Sequence, residues 1–315
     1  MRCLKIISVF AAVALTQGLP SALAEGHKIG VLLKGRTKFW SVVEQGAMAA
    51  GEKLGVEVIV KMPPTEADIA TQIIMLNALA ASGVDAIVIA PSHRTTLAKP
   101  VADLAATGLK FVVIDSPLDG TSSGVFVGTN HHAAGETAGR LLAGFIAEGN
   151  SVSLFRHAQN NAATGDREEG AIEKLREAFP KIKIRGDIYS GNDPATQFER
   201  ANLLLTKYPE CKGILASGTP GSMALIQALG THEPVGSIKF VGFGFNLNET
   251  VAAALEAGIL HGWIAQQPKE IGYKGVEAAL DLINGKKVPA VVNIDVFVVT
   301  KANLHDAPAQ ALLKL

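Results

Sequence analysis

The sequence predicts an α/β chain folded into two doubly wound, parallel-sheet lobes. Three observations predict it. Short apolar runs alternate with helical stretches along the chain. The runs are continuously apolar rather than alternating, as in strands buried on both faces. The β/α series also starts again near the middle of the chain. At 315 residues and 48% hydrophobic content there is enough apolar surface for two cores.

The elements read in order. Ile29–Leu33 is the first strand. Phe39, Val43, Ala47, Ala50 and Leu54 then recur at helical spacing and stop at Gly55. Val56–Val60 is the second strand, followed by a helix marked by Ile69, Ile73, Leu76 and Ala80 that ends near Gly83. Ala86–Ala90 and Phe111–Ile114 are the next strands, with a helix over Leu97–Ala106 between them. After Val125–Val127 and a helix over Ala133–Ala147, the pattern restarts. Strands are expected at Val152–Phe155, Ile182–Tyr189, Gly213–Ala216, Ile238–Phe243 and Leu260–Ala265. The helices between them are Ala163–Phe179, Pro194–Lys207 and Ser222–Leu229. A helix over Ile271–Ile283 and a strand near Ile294–Val299 close the series.

Residues 1–24 read as a secretory signal. Arg2 and Lys5 form a basic start, Ile6–Leu15 is an apolar run too short to span a bilayer, and Ala22-Leu23-Ala24 fits cleavage after Ala24. An exported protein is expected. Cys3 leaves with the signal, so Cys211 stays single and no internal disulfide forms. Lys+Arg and Asp+Glu both number 29, which argues against a nucleic-acid partner held by phosphate neutralisation.

In open parallel sheets, ligands sit beyond the carboxyl ends of the strands. Polar residues at those ends are therefore candidates: Lys34 and Arg36, Ser92 and His93, Asp115, Arg156 and His157, Ser217, Asn246 and Gln266. If the two sets of strand ends face each other, they meet in an interlobe cleft.

Several segments in order resemble one family over the whole mature length. They are Phe39-Trp40 with Gly46 and Leu54-Gly55; Gln72 with Gly83–Pro91; Phe111–Asp115; and Val127–Asn130 with Ala134-Gly135. Later come Arg167 with Gly170; Lys239–Phe243; Ile264–Pro268 with Gly272; and Gly285–Pro289 with Thr300–Asn303. The chain resembles type I periplasmic solute-binding proteins of the ribose-binding-like branch. The resemblance implies a periplasmic monomer with two lobes, three crossovers and hinged closure on a small polar ligand such as a sugar or polyol. It implies delivery to an inner-membrane ABC permease, or presentation to a chemoreceptor. No cofactor, metal or catalytic residue is implied. Crossovers are expected near Gly128–Thr129, Gln266–Gln267 and Ala290–Val292. The lobes then comprise 25–128 plus 267–290, and 129–266 plus 291–315.

By the same resemblance, Phe39 or Trp40 covers an apolar sugar face, Asp115 accepts ligand hydroxyls, Arg167 binds the ligand and Gln266 offers an amide at the second crossover. For Arg167 the alternative is a surface ion pair with Asp166 or Glu169. Three departures stand out. Gly218-Thr219 replaces the family's Asn-Asp, Gly244 replaces a second Asp, and Ser116 replaces an Arg. Lys34, Arg36, Lys38, His93 and Arg94 meanwhile gather at strand ends of the first lobe. If they enter the cleft, an acidic ligand is favoured; if they stay at the rim, a neutral one.

Other chemistries find no support. There is no dinucleotide or nucleotide-phosphate glycine motif and no G-x-S-x-G elbow. His131-His132 suggests a metal, but adjacent helical residues do not face each other. Glu168-Glu169 reads as a solvated helix face. An enzyme acting on a small carbohydrate is disfavoured, because no acid/base pair or nucleophile constellation appears.

Overall fold

The computed structural model describes residues 26–312, apart from 121–123, 160, 192 and 233. The expected signal, with its cleavage point at Ala24, lies outside the described residues. In the first lobe the order is β1 (Lys28–Leu32), α1 (Lys38–Leu54), β2 (Glu57–Lys61), α2 (Ile69–Ala81), β3 (Ala86–Ile89), α3 (Ala98–Ala106), β4 (Lys110–Ile114) and β5 (Val125–Gly128). The second lobe follows with α4 (His131–Ala143), β6 (Ser151–Arg156), α5 (Ala162–Ala178), β7 (Lys183–Tyr189), α6 (Pro194–Lys207) and β8 (Cys211–Ala216). It continues with α7 (Thr219–Gly230), β9 (Lys239–Gly244), α8 (Glu249–Ala257) and β10 (Gly262–Ala265). The tail holds α9 (Pro268–Ile283), β11 (Val291–Asn293), β12 (Phe297–Val299) and α10 (Ala307–Ala311).

Two six-stranded sheets result, in the orders β11-β5-β4-β3-β1-β2 and β12-β10-β9-β8-β6-β7. Every pairing is parallel except β10 with β12. The central strands β1, β3 and β4 are apolar and buried on both faces, which explains their continuous apolar runs. The chain crosses between sheets after β5, after β10 and after β11. The third crossing falls a few residues later than expected. Val291–Asn293 pairs with Phe126–Gly128 and so extends the first lobe's sheet, and only β12 joins the second.

Each lobe locks a helix pair through glycines that admit backbone contact. In the first, a side chain at Gly46 would meet the Lys269 carbonyl at 1.9 Å, and one at Gly272 the Val43 carbonyl at 2.0 Å. These contacts fix α9 on α1 and bring the late helix back to the first lobe. In the second lobe Gly135 lies against the Arg167 carbonyl and Gly170 against that of His132, at 2.1 and 2.2 Å from where a Cβ would stand. The backbone carrying Arg167 is thereby pressed onto the backbone carrying His131. Among the described residues, no helix is long and apolar enough to cross a membrane.

Candidate functional site

The loops after β1, β2 and β4 face the start of α5, the turn entering α7 and the segment after β9. Between them lies a cleft of about 210 Å³. That is below the roughly 300–1,000 Å³ typical of drug-sized ligands, so the occupant is small. Its walls combine Lys34, Phe39, Trp40, Glu66 and Asp115 of the first lobe with His157, Asn161, Thr164, Arg167, Thr219 and Phe245 of the second. Gln266, at the second crossover, completes the lining.

Aromatic rings form one wall. Phe39 stands edge-on to Trp40 at 4.9 Å and to Phe245 at 5.5 Å, so one ring contact spans the lobes. Trp40 Nε1–H donates to Glu66 Oε1 at 2.7 Å, and Lys34 Nζ lies over the buried indole, 5.4 Å from its ring centre.

The polar floor is largely cross-braced. Lys34 is buried, and its Nζ donates to Asp115 Oδ2 at 2.8 Å and to Ser116 Oγ at 2.5 Å. Ser116 donates to the same Oδ2. Burial alone would push the Asp115 carboxyl up, but the Lys34 charge and these hydrogen bonds hold it below the usual carboxylate range. Asp115 is also the one non-glycine residue with positive φ, 63°, among the described residues. Asp tolerates this region better than most side chains, and such strain tends to occur at binding sites.

Arg167 is buried and has no carboxylate within salt-bridge distance among the described residues. Nη1 donates to the Ser217 carbonyl at 2.8 Å, while Nε and Nη2 lie 3.3 and 3.2 Å from His131 Nδ1. Its guanidinium stacks over Phe243 at 4.8 Å. Burial pushes its pKa down to about 10, so it stays a cation at neutral pH. Two of its five donors are left for a ligand. The surface ion pair with Asp166 or Glu169 is not what this residue makes.

Two buried polar atoms in the lining have no partner: Gln266 Oε1 and His157 Nδ1. Buried polar groups are nearly always satisfied, so these orphans point at what enters the cleft.

Of the strand-end candidates, Lys34, Asp115, His157 and Gln266 line the cleft, and so do Phe39, Trp40 and Arg167. Ser92, His93, Ser217 and Asn246 do not. Ser92 N–H donates to Gln72 Oε1, and His93 Nδ1 lies near Thr95 and Thr96, fastening the turn into α3. Ser217 Oγ is turned backwards to Glu168 Oε1 at 2.8 Å. Asn246 is buried, and its carbonyl accepts from Trp263 Nε1. Glu168 is not on a solvated face either. It is 4% exposed and takes Arg156 at 2.7 Å. The adjacent histidines divide, with His131 facing inwards and His132 lying 3.4 Å from Glu173 on the outside.

The crowd of first-lobe cations also disperses. Arg36, His93 and Arg94 stay off the cleft wall. Arg94 pairs with Asp119 at 2.6 Å and reaches Asp166 of the second lobe at 3.8 Å. Lys34 is matched by Asp115, while Lys38 does line the cleft, from an exposed position at its edge. Glu66, which sequence reasoning missed, adds an acidic group. Glu66, Asn161, Thr164 and Phe245 lie in loops or at a helix start, where hydrophobic periodicity carries no signal.

Residues 29–287 match the family model described as periplasmic binding protein domain. The chain belongs to this family. It is 26% identical to the D-allose-binding periplasmic protein of Escherichia coli, over 85% of this chain and 88% of that one. It superposes on a carbohydrate transporter solute-binding protein from Agrobacterium radiobacter, solved with D-arabinose, with a TM-score of 0.84 and 28% identity. That match covers 92% of this chain and 99% of the other. A periplasmic component of an ABC-type sugar transport system from Hahella chejuensis is 30% identical at a TM-score of 0.81, covering 87% and 99%. These relatives agree with the ribose-binding-like branch of the family, whose members are binding proteins of the periplasm. Within that branch the glycine at 244 has a local reason. A Cβ there would lie 1.8 Å from Trp263 Cζ2, so the buried indole fills the space where a side chain would stand.

Proposed function

We propose that this chain is the sugar-binding subunit of an ABC importer, and that it takes a neutral monosaccharide or similar polyol between its lobes. The observation that carries this is the mixture of free polar atoms beside a wall of rings. Gln266 Oε1 can only accept, while the free N–H groups of Arg167 can only donate. Hydroxyl groups do both, and the rings of Phe39 and Trp40 suit the apolar face of a sugar. The lining sets Lys34, Lys38 and Arg167 against Asp115 and Glu66, a near balance of charge that favours a neutral ligand over an acidic one.

In this reading Asp115, Arg167 and Gln266 contact hydroxyls, and closure brings the second-lobe groups onto a ligand first held by the first lobe. The closed form docks on an inner-membrane permease. The mature protein begins at Glu25, after cleavage at Ala24, and works as a monomer without turnover of its ligand.

A thermal-shift screen of the mature chain against neutral sugars, polyols, sugar acids and sugar phosphates tests the reading. A neutral ligand at 100 times its Kd adds about 2.7 kcal/mol of stability. Replacing Gln266 by Ala then weakens binding about tenfold, with the fold intact. A screen in which only sugar acids or phosphates stabilise the chain refutes the neutral-ligand reading.

A further inference from the structure

We propose that His131 is a positioning residue that joins the ligand-binding groups of the two lobes, and that it does so as the neutral Nε2–H tautomer. The proposal deepens the sugar-binding reading and rests on it. His131 opens α4 directly after the first crossover and is buried. On one side its Nε2 lies 2.7 Å from the Asp115 carbonyl oxygen of the first lobe. On the other, its Nδ1 meets Arg167 Nε and Nη2 of the second lobe at 3.3 and 3.2 Å.

The partners dictate the tautomer. A carbonyl oxygen only accepts, so Nε2 carries the hydrogen. A guanidinium only donates, so Nδ1 presents its lone pair. A protonated ring would turn an N–H and a positive charge towards Arg167. The charged groups that bear on His131 are Arg167 on α5, Asp115 after β4 and Lys34 after β1, so two cations stand against one anion. Burial and the Arg167 charge push its pKa down to about 3. The bridge thus stays assembled throughout the neutral and mildly acidic range.

The placement of both partners depends on this ring. The Asp115 backbone, held at positive φ, is tied at its N–H to the Val127 carbonyl and at its carbonyl to His131. Among the described residues Arg167 has no carboxylate within salt-bridge distance to orient it; the Ser217 carbonyl takes Nη1, and His131 Nδ1 is the acceptor for Nε and Nη2. With the Ser217 carbonyl and the Phe243 ring holding the guanidinium from within its own lobe, the imidazole ties its Nε–Nη2 edge to the backbone of the other.

The test separates the two halves of the bridge. Asn overlays its Oδ1 on the Nδ1 position, and Gln overlays its Nε2 on the Nε2 position. The ¹⁵N spectrum of the ligand-free wild-type chain is expected to show His131 as the Nε2–H tautomer, without titration between pH 5 and 8. Hydrogen exchange at Arg167 Nε–H is expected to be slow in the wild type and in His131→Asn, and at least tenfold faster in His131→Gln and His131→Phe. With D-allose, D-ribose and D-arabinose as probes, His131→Phe is expected to weaken whichever binds by tenfold or more, and His131→Asn to restore part of it. An Nδ1–H tautomer, titration between pH 5 and 8, or Arg167 exchange unchanged in His131→Gln overturns the proposal. Failure of all three sugars to bind the wild type counts against the sugar reading alone, because the tautomer and the exchange rate are read without ligand.

Discussion

Replacing Lys34 by Met removes the ammonium and keeps most of the stem, and it strands Asp115. Both side chains are nearly inaccessible, at 3% and 6% exposed, and their 2.8 Å contact is the dominant compensation for a buried carboxylate. Breaking a buried pair from one side costs about 3–5 kcal/mol, because the remaining charge is uncompensated. With a urea m-value of about 3 kcal/mol/M, the unfolding midpoint at pH 7 falls by about 1–2 M. The pH dependence identifies the cause. In the wild type the Asp115 pKa is held below its unfolded value near 3.8. The pair therefore stabilises the fold above that value, and the stabilisation is lost as pH falls through the depressed folded pKa. In the variant, burial acts without the lysine and raises the folded pKa above the unfolded one. Protonation then relieves the strain, and the gap between wild type and variant narrows as pH falls towards 4. The double variant Lys34→Met, Asp115→Asn removes both charges and recovers most of the loss. Urea titrations at pH 7 and pH 4 check this. A gap of equal size at both values, or a double variant no more stable than the single one, refutes the reasoning.

Two further outcomes follow from packing. Gly244→Ala sets a Cβ inside the volume of Trp263, and overpacking of this kind costs about 1–3 kcal/mol. At roughly 2–4 °C per kcal/mol, differential scanning calorimetry should show Tm lower by about 2–12 °C; an unchanged Tm would mean that the indole moves freely. Phe39→Ala removes the ring contact that spans the lobes, worth about 0.5–1.5 kcal/mol beyond area. Calorimetry with a bound sugar should show affinity lower by about 2- to 12-fold, with Phe245→Ala adding little on top of it; full additivity would show that the two rings act separately.

The sheets were legible because strands buried on both faces leave unbroken apolar runs, as at Ala86–Ile89. Val291–Asn293 went unread as a separate strand. Three residues beside Pro289 leave no period to detect, and their place in the first sheet depends on Phe126, far away in sequence. In the site, strand ends led to Lys34, Asp115, His157 and Gln266, where the chain leaves the sheet facing the cleft. The same logic named Ser217, but one peptide later the side chain turns behind the sheet end to Glu168. Whether a residue at a strand end faces ligand or core depends on that turn, which the pattern of apolar residues does not encode. The charge of the cleft wall was hard to read for a related reason. Composition counts Lys34 as a free cation, whereas Asp115, 81 positions away, neutralises it.

The glycine contacts between α4 and α5 bear on how closure does its work. Gly135, Gly139 and Gly170 let the two backbones touch in one register, and a slide of either helix would drive side chains into carbonyls. The pair is a joint without play. Arg167 and His131 ride on it and are held in one register. Force applied by a ligand at the guanidinium is passed to the crossing segments rather than absorbed as shear within the lobe. In the proposed closure the hinge is then the soft coordinate, and its angle is what a filled cleft changes.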